Sequence, residues 1–273
     1  MNGLSGKVAF VTGAAGAGGI GRAIALRLAE GGASVAVNDL RPAQAGRPGL
    51  PAAVAEIKAL GARGLAIYGD VADSAQVERM FARIIAQFGR LDILVNNAGA
   101  PAGADRVPVV ELHEDAFDLV QRVNVRGTFL CSRAAARLMI DQTEGGRIIN
   151  IASTAGKRGV ARYAAYCASK FAIRGLTQSM ALELATQNIT VNAICPGLIA
   201  SERIDDMAAA LRPADMSAAD YRQQMIDAAL QTIPLGRMAE PSDIANVAAF
   251  LASDEASFIT GKSLSIDGGV SLD

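Results

Sequence analysis

The chain contains a single histidine, His113, and only three cysteines, Cys131, Cys167 and Cys195. One imidazole argues against a histidine-based nucleophilic triad or a histidine-rich metal site, and His113 itself reads as a solvated loop residue. The cysteines are odd in number and widely spaced, with no C-x-x-C pair. They read as free thiols of a reducing compartment, not as bridges or ligands, and no metal is expected. Net charge is nearly absent: −1 over 273 residues gives no electrostatic case for nucleic acid or a membrane surface. No apolar run approaches the ~18 residues of a membrane span. The opening M-N-G-L-S-G-K has no apolar core of a signal peptide. These absences leave a cytoplasmic globular protein whose apolar half, 51 % of its residues, builds a large core.

What is present is an alternation. Short Val/Ile runs at 7–12, 34–38, 64–68, 91–96, 146–151, 189–194 and 263–267 are separated by Ala-rich amphipathic stretches. The latter predict helices over 20–31, 52–60, 74–88, 115–141, 162–187, 219–231 and 241–252. Asp73 and Ser242 are candidate N-caps. Several strand-like runs are apolar on both faces, as strands of a covered parallel sheet are. Strands joined through helices imply right-handed crossovers. The predicted class is therefore α/β, a doubly wound parallel sheet of about seven strands with helices on both faces. With no linker and no composition break, 1–273 reads as one domain. Residues 40–51 are Pro- and Gly-rich and read as a loop or small insertion. Residues 198–234 interrupt the alternation and carry Met207, Met216 and Met225. That segment reads either as a substrate lid or as a peripheral helical pair covering core.

The first strand runs into T-G-A-A-G-A-G-G-I-G-R. Glycines at a strand-to-helix turn let the backbone approach a pyrophosphate seated on the helix N-terminus. Gly16, Gly18 and Gly21 fit G-x-G-x-x-G. Asp39 ends the next strand, where a carboxylate accepts the hydroxyls of an adenosine ribose and repels a 2′-phosphate. This favours NAD over NADP. The alternatives are that Asp39 caps a turn and that Arg41 leaves room for NADP.

The stretch from Ser153 to Lys170 carries a hydroxyl, a phenol and an ammonium. On a helix, Tyr166 and Lys170 lie one turn apart on one face. A free phenol titrates near pH ~10 and accepts protons poorly at neutrality. A neighbouring cation stabilises phenolate and lowers that value, so the phenol can exchange a proton with an alcohol or carbonyl oxygen. Ser153 can donate a hydrogen bond to the same oxygen. Taken alone, the stretch also suits a surface Tyr–Lys pair and a turn serine.

Taken together, these motifs resemble those of the short-chain dehydrogenase/reductase family, over essentially the whole chain. The likeness is carried by Thr12-Gly13 and Gly19-Ile20-Gly21, and by Asp70-Val71 after the third strand. It continues through Asn96-Asn97-Ala98-Gly99, Asn124, Ser153, Tyr166 and Lys170, Pro196-Gly197 with Ile199 and Ser201, and the tail F-I-T-G-K-S-L-S-I-D-G-G. The resemblance implies a Rossmann-type fold and a catalytic tetrad. In it Tyr166 is the acid or base, and Lys170 lowers its pKa and holds the nicotinamide ribose. Ser153 orients the substrate oxygen, and Asn124 holds a water linking Lys170 to solvent. It implies that Gly13, Gly18, Gly19, Ile20, Gly21, Asp39, Asp70, Val71, Asn97, Ala98, Gly99, Tyr166, Lys170, Pro196, Gly197, Ile199 and Ser201 bind the cofactor. There is one departure. Five residues separate Gly13 from Gly19, two more than is usual in the family. The added residues either bulge outward or fold inward against the pyrophosphate.

Substrate is expected beyond the strand C-termini, walled by 100–113, 154–163 and 198–234. Lys157, Arg158 and Arg162 either hold an anionic substrate group or form a solvated basic loop. The expectation is an NAD-dependent oxidoreductase of secondary alcohols and ketones, with a small or medium alcohol, cyclic diol or polyol as substrate. The alternatives are an NADPH-dependent 3-oxoacyl thioester reductase and a catalytically inactive dinucleotide sensor. Long Ala-rich helices at 115–141 and 162–187, apolar on more than one face, suggest self-association, and the resemblance implies that such helices pair between subunits of a homotetramer or homodimer.

Overall fold

In this computed structural model, residues 3–40 and 49–272 are described. The strands are β1 (Val8–Thr12), β2 (Ser34–Asp39), β3 (Gly64–Tyr68), β4 (Ile93–Asn96), β5 (Gly146–Ile151), β6 (Ile189–Pro196) and β7 (Ser263–Ile266). All pair in parallel in the order β3-β2-β1-β4-β5-β6-β7. Chain direction across the sheet reverses between β1 and β4, which opens a crevice at their C-terminal ends.

Alternation along each strand divides two cores. Ala9 and Val11 of β1 join Val35, Val37, Ile93, Val95, Ile149 and Ile151 on one face. The helices α1 (Ile20–Glu30), α2 (Gly49–Ala59) and α9 (Pro241–Ala252) cover that face. Val8 and Phe10 point to the other side, with Ala36, Ile67, Leu94, Ile148 and Val191. There α3 (Ser74–Phe88), α5 (Gly127–Gln142) and α6 (Ala164–Leu184) pack, with Phe81 edge-on to Phe10 at 5.3 Å.

The elements follow the predicted ones with four differences. The predicted 115–141 helix is broken: α4 (Glu114–Gln121) passes through a π turn at Arg122–Arg126 into α5. Helix α6 starts at Ala164, not Arg162, because Arg162 takes a left-handed φ of 67°. Ser242 is not an N-cap. Pro241 occupies the first helical position, where its missing N–H costs nothing, so Glu240 is the N-cap, its N–H donating to the Asp243 carboxylate at 2.8 Å. Residues 198–234 contain α8 (Ala218–Thr232), as predicted over 219–231, and one helix more, α7 (Glu202–Leu211). Asp73 does cap α3, accepting from the Gln76 N–H at 3.0 Å. His113 is exposed at the start of α4. Most of the predicted 40–51 loop, with Arg41, lies outside the described residues; Gly49 already begins α2.

Candidate active site

The crevice at the strand C-termini is a cleft of about 1030 Å³. Its floor is built by polar ties between strands. Thr12 Oγ1 accepts the main-chain N–H groups of Asn97 and Ala98, both at 3.0 Å. The Asn97 amide donates back to the carbonyls of Thr12 and Gly13 at 2.9 and 2.8 Å. These bonds lock the ends of β1 and β4 together. Deeper, the Asn96 amide reaches Asn150 and Ser132, each at 2.8 Å, and Asn150 reaches Thr177 at 2.9 Å. Every amide in this buried ladder has a partner, as burial of such groups requires.

The glycine turn answers the question of its extra length. Ala17 and Gly18 are exposed, and the Gly19 N–H closes a turn onto the Gly16 carbonyl at 3.2 Å. The added residues bulge outward. Gly13, Gly16, Gly19 and Ile20 line the cleft, whereas Gly18 and Gly21 do not. Gly21 has a packing reason to be glycine: a Cβ there would stand 2.4 Å from Asn97 Nδ2 and 2.5 Å from the Gly13 carbonyl oxygen. Gly19 caps α1 with no side chain. The first amides of α1 are therefore left for an anion at the positive end of the helix dipole.

Asp39 both caps the turn and lines the cleft. Its carboxylate accepts the N–H of Ala15 at 3.1 Å and of Leu40 at 2.8 Å. Each carboxylate oxygen has further acceptor capacity. Asp70 accepts the Ala72 N–H at 2.9 Å and pairs with Arg122 at 2.9 Å, with Val71 beside it. Ala98, Gly99, Pro196, Gly197, Ile199 and Ser201 line the same wall. An uncapped helix start, a glycine floor and an acidic residue at the end of β2 fit a dinucleotide.

The chemical end comes from β5 and α6. Buried residues of α6 recur at helical spacing, Ile173, Thr177, Met180 and Leu184 among them. That stripe turns Tyr166 and Lys170 into the cleft together. Lys170 is 6 % exposed, and its ammonium lies 5.5 Å from the Tyr166 ring centroid. Ser153 Oγ accepts the Ala155 N–H at 3.1 Å and lines the cleft beside Tyr166, whose pKa it helps to lower.

The electrostatics of the pair oppose one another. Burial, the largest single effect, would raise the Tyr166 pKa, but the charges of Lys170, Arg203 and Arg106 together with the Ser153 hydroxyl outweigh it. The net result holds the phenol below its ordinary value. Burial also pulls the Lys170 ammonium below its usual range, against the opposing pull of Tyr166. A lowered phenol beside a cation is suited to proton transfer near neutrality.

Asn124 lines the cleft but spends its amide elsewhere. Oδ1 accepts the Ala100 N–H at 2.8 Å and Nδ2 donates to Ser169 Oγ at 2.9 Å. Ser169 Oγ in turn donates to the Tyr166 carbonyl at 2.7 Å. The side chain therefore braces the loop after β4 against α6. The Asn124 carbonyl accepts the Thr128 hydroxyl at 2.7 Å.

Of the three basic residues after Ser153, Arg158 lines the cleft, and Lys157 and Arg162 do not. Two cations not singled out in the sequence stand closer to Tyr166. The Arg106 and Arg203 guanidinium carbons are 4.4 and 5.7 Å from its ring centroid. Ile204 and Met207 of α7 and Ile233 after α8 close the outer wall, so part of the 198–234 segment faces the cleft.

A family model described as "Enoyl-(Acyl carrier protein) reductase" matches residues 13–271. A short-chain dehydrogenase/reductase of Armillaria gallica is 42 % identical over 268 residues, 98 % of this chain and 97 % of the relative. A 3-oxoacyl-[acyl-carrier-protein] reductase of Staphylococcus aureus is 42 % identical over 264 residues, 97 % of this chain and 98 % of the relative. The crystal structure of an NAD⁺-bound xylitol dehydrogenase superposes with a TM-score of 0.84 at 37 % identity, covering 97 % of this chain and 99 % of the other.

Proposed function

The chain belongs to the short-chain dehydrogenase/reductase family, and from that premise we propose that it exchanges a hydride between NAD and a secondary alcohol or its ketone. As a family member it is an NAD(P)-dependent oxidoreductase acting on CH–OH groups. The finer reading takes NAD in preference to NADP and a small or medium alcohol, cyclic diol or polyol as substrate. The observation that carries it is the placement of Ser153, Tyr166 and Lys170 on one cleft wall, with Asp39 at the far end of the same cleft.

NAD, when bound, supplies the hydride acceptor or donor. The protein manages the proton. Tyr166 takes the hydroxyl proton as oxidation proceeds and returns it in reduction. Ser153 donates to the substrate oxygen and holds it against Tyr166. Lys170 stabilises the phenolate and would hold the nicotinamide ribose hydroxyls. Asp39 receives the adenosine ribose and repels a 2′-phosphate by charge. Gly13, Gly19, Ile20, Asp70, Val71, Asn97, Ala98, Gly99, Pro196, Gly197, Ile199 and Ser201 form the rest of the dinucleotide wall. Gly18 has no part in it, and Gly21 serves by fitting α1 against β1. A water between Asn124 and Lys170 is held through the Asn124 carbonyl, because its amide is committed.

The whole chain acts as one dinucleotide-binding and catalytic domain, with 198–234 as a lid. Exposed Phe129 of α5 and Phe171 and Leu182 of α6 supply apolar surface for self-association as a dimer or tetramer. The reading takes the protein to act in the cytoplasm; no described helix is long and apolar enough to cross a membrane. Steady-state rates with a panel of alcohols, diols and polyols, each with NAD and NADP, test this reading. Turnover with NAD at least about tenfold better in kcat/KM than with NADP is expected. The second reading, an NADPH-dependent 3-oxoacyl thioester reductase, is favoured by the staphylococcal relative. Turnover confined to NADPH and acyl thioesters would establish it instead.

A further inference from the structure

The substrate end of the cleft holds a cation that the proton relay does not use. Arg106, in the loop after β4, lines the cleft although it is 1 % exposed. Its guanidinium carbon lies 4.0 Å from the ring centroid of Tyr163 and 4.4 Å from that of Tyr166. Nη1 stands 3.1 Å from Asp105 Oδ2, yet neither Nε nor Nη1 makes a hydrogen bond. Asp105 is itself held, its Oδ1 accepting the Gly103 N–H at 3.1 Å. The pair fixes the guanidinium without filling its hydrogen-bonding capacity.

A buried guanidinium with idle donors is costly. Wedging two phenols apart needs only its flat surface, and an apolar side chain of similar size does the same without the cost. The planar fork of donors suits a carboxylate. The surroundings agree in sign. Arg203 donates to the Ala100 carbonyl at 2.9 Å beside the same cleft, and Arg158 lines it. With Lys170, four cations gather at this end, against the carboxylates of Asp105 and Asp206.

We propose that Arg106 binds a carboxylate of the substrate, so that the alcohol oxidised, or the ketone reduced, is a short hydroxy or oxo acid. The proposal rests on the redox reading above and narrows its substrate class. The hydroxyl carbon sits at Ser153 and Tyr166, and the acid group sits against the Arg106 fork. Arg106 then sets which alcohols are chosen and takes no proton itself.

The test uses matched pairs in which CH₂OH replaces the carboxylate: 3-hydroxybutyrate against 1,3-butanediol, and 4-hydroxypentanoate against 1,4-pentanediol. Wild type, Arg106→Met and Arg106→Lys are compared with NAD as oxidant. Any effect of Arg106 on Tyr166 is common to both members of a pair, so the acid-to-diol ratio of kcat/KM isolates the carboxylate contact. Wild type should favour the acids. Arg106→Met should lower the ratio about 30-fold or more, chiefly through KM, and Arg106→Lys should recover part of it. Equal losses on acid and diol, or a wild type that favours diols, overturn the proposal. Calorimetry with butyrate, on NADH-loaded wild type and Arg106→Lys, separates this failure from that of the redox reading. Butyrate binding weakened in the variant supports the site even where nothing turns over. Absence of butyrate binding to wild type overturns the site even where diols are oxidised.

Discussion

The Lys170 ammonium donates to the main-chain carbonyl of Ile151 at 2.7 Å. That bond pins α6 to the end of β5 and holds the cation beside Tyr166. The two halves of the chemistry, phenol and positive charge, are thus fixed by the sheet and do not depend on a mobile loop. Tyr166→Phe removes the proposed proton carrier and leaves the cation in place. We expect it to lower kcat about 10³-fold while NADH binding, followed by fluorescence titration, changes less than about twofold. Comparable losses in both would show that Tyr166 serves cofactor binding instead.

The pH dependence follows from the sign of the Tyr166 shift. Oxidation needs phenolate, so kcat/KM for an alcohol rises with pH and levels off once the phenol has ionised. Because Tyr166 is held below the ordinary value of 10, the plateau begins below pH 10. Arg203 is one of the charges that lower it. Arg203→Met removes a stabiliser of phenolate, so the midpoint must move up, toward alkaline pH. A midpoint that stays put or moves down, in a pH–rate profile at saturating NAD, contradicts this.

In the proposed reading, Asp39 governs the choice of dinucleotide. Asp39→Ala removes the charge that would face the adenosine ribose and one acceptor of the glycine turn, at the Ala15 N–H. The ratio of kcat/KM for NAD over NADP should fall about tenfold or more, measured with one alcohol at fixed pH. A ratio unchanged by the substitution would mean that selectivity lies elsewhere in the adenosine pocket.

Two glycines of one turn should answer differently to a methyl group. Gly21→Ala forces a Cβ to within 2.5 Å of the Gly13 carbonyl oxygen, so α1 must shift against β1. We expect a loss of about 1–3 kcal/mol, read as a lower Tm, with weaker NAD binding. Gly18→Ala meets nothing within 4 Å, and its Tm and NAD affinity should stay near wild type. Weaker NAD binding in Gly18→Ala would return the outer turn to the site.

Much of this was legible in the sequence for physical reasons, and what was missed has physical reasons too. Strands such as β5 and β6 are buried along nearly their whole length, so their Val/Ile runs stand out from the Ala-rich helices around them. Tyr166 and Lys170 share a face by helical geometry alone. The π turn at Arg122–Arg126 leaves no mark on hydrophobic periodicity. It lies where the Asn124 amide ties two other elements together, a tertiary demand. Arg106 sits in the stretch 100–113 expected to wall the substrate, but nothing in that run marks which of its side chains turns inward. Its contacts with Tyr163 and Tyr166 are tertiary and leave no local signature. The N-cap of α9 was readable: Pro241 marks the first helical position more strongly than Ser242 marks a cap. The direction of the glycine-turn bulge was not, because Ala17 and Gly18 are small enough to go either way.

The most direct measurement is a spectrophotometric pH titration of phenol ionisation near 295 nm in the apo protein, taken as wild type minus Tyr166→Phe. A single phenol that ionises below pH 10 in the difference curve, and moves up when Lys170 is replaced by Met, is the expected result. A difference curve that titrates at or above pH 10, or is indifferent to Lys170, would contradict the claim that this lysine makes Tyr166 a proton carrier.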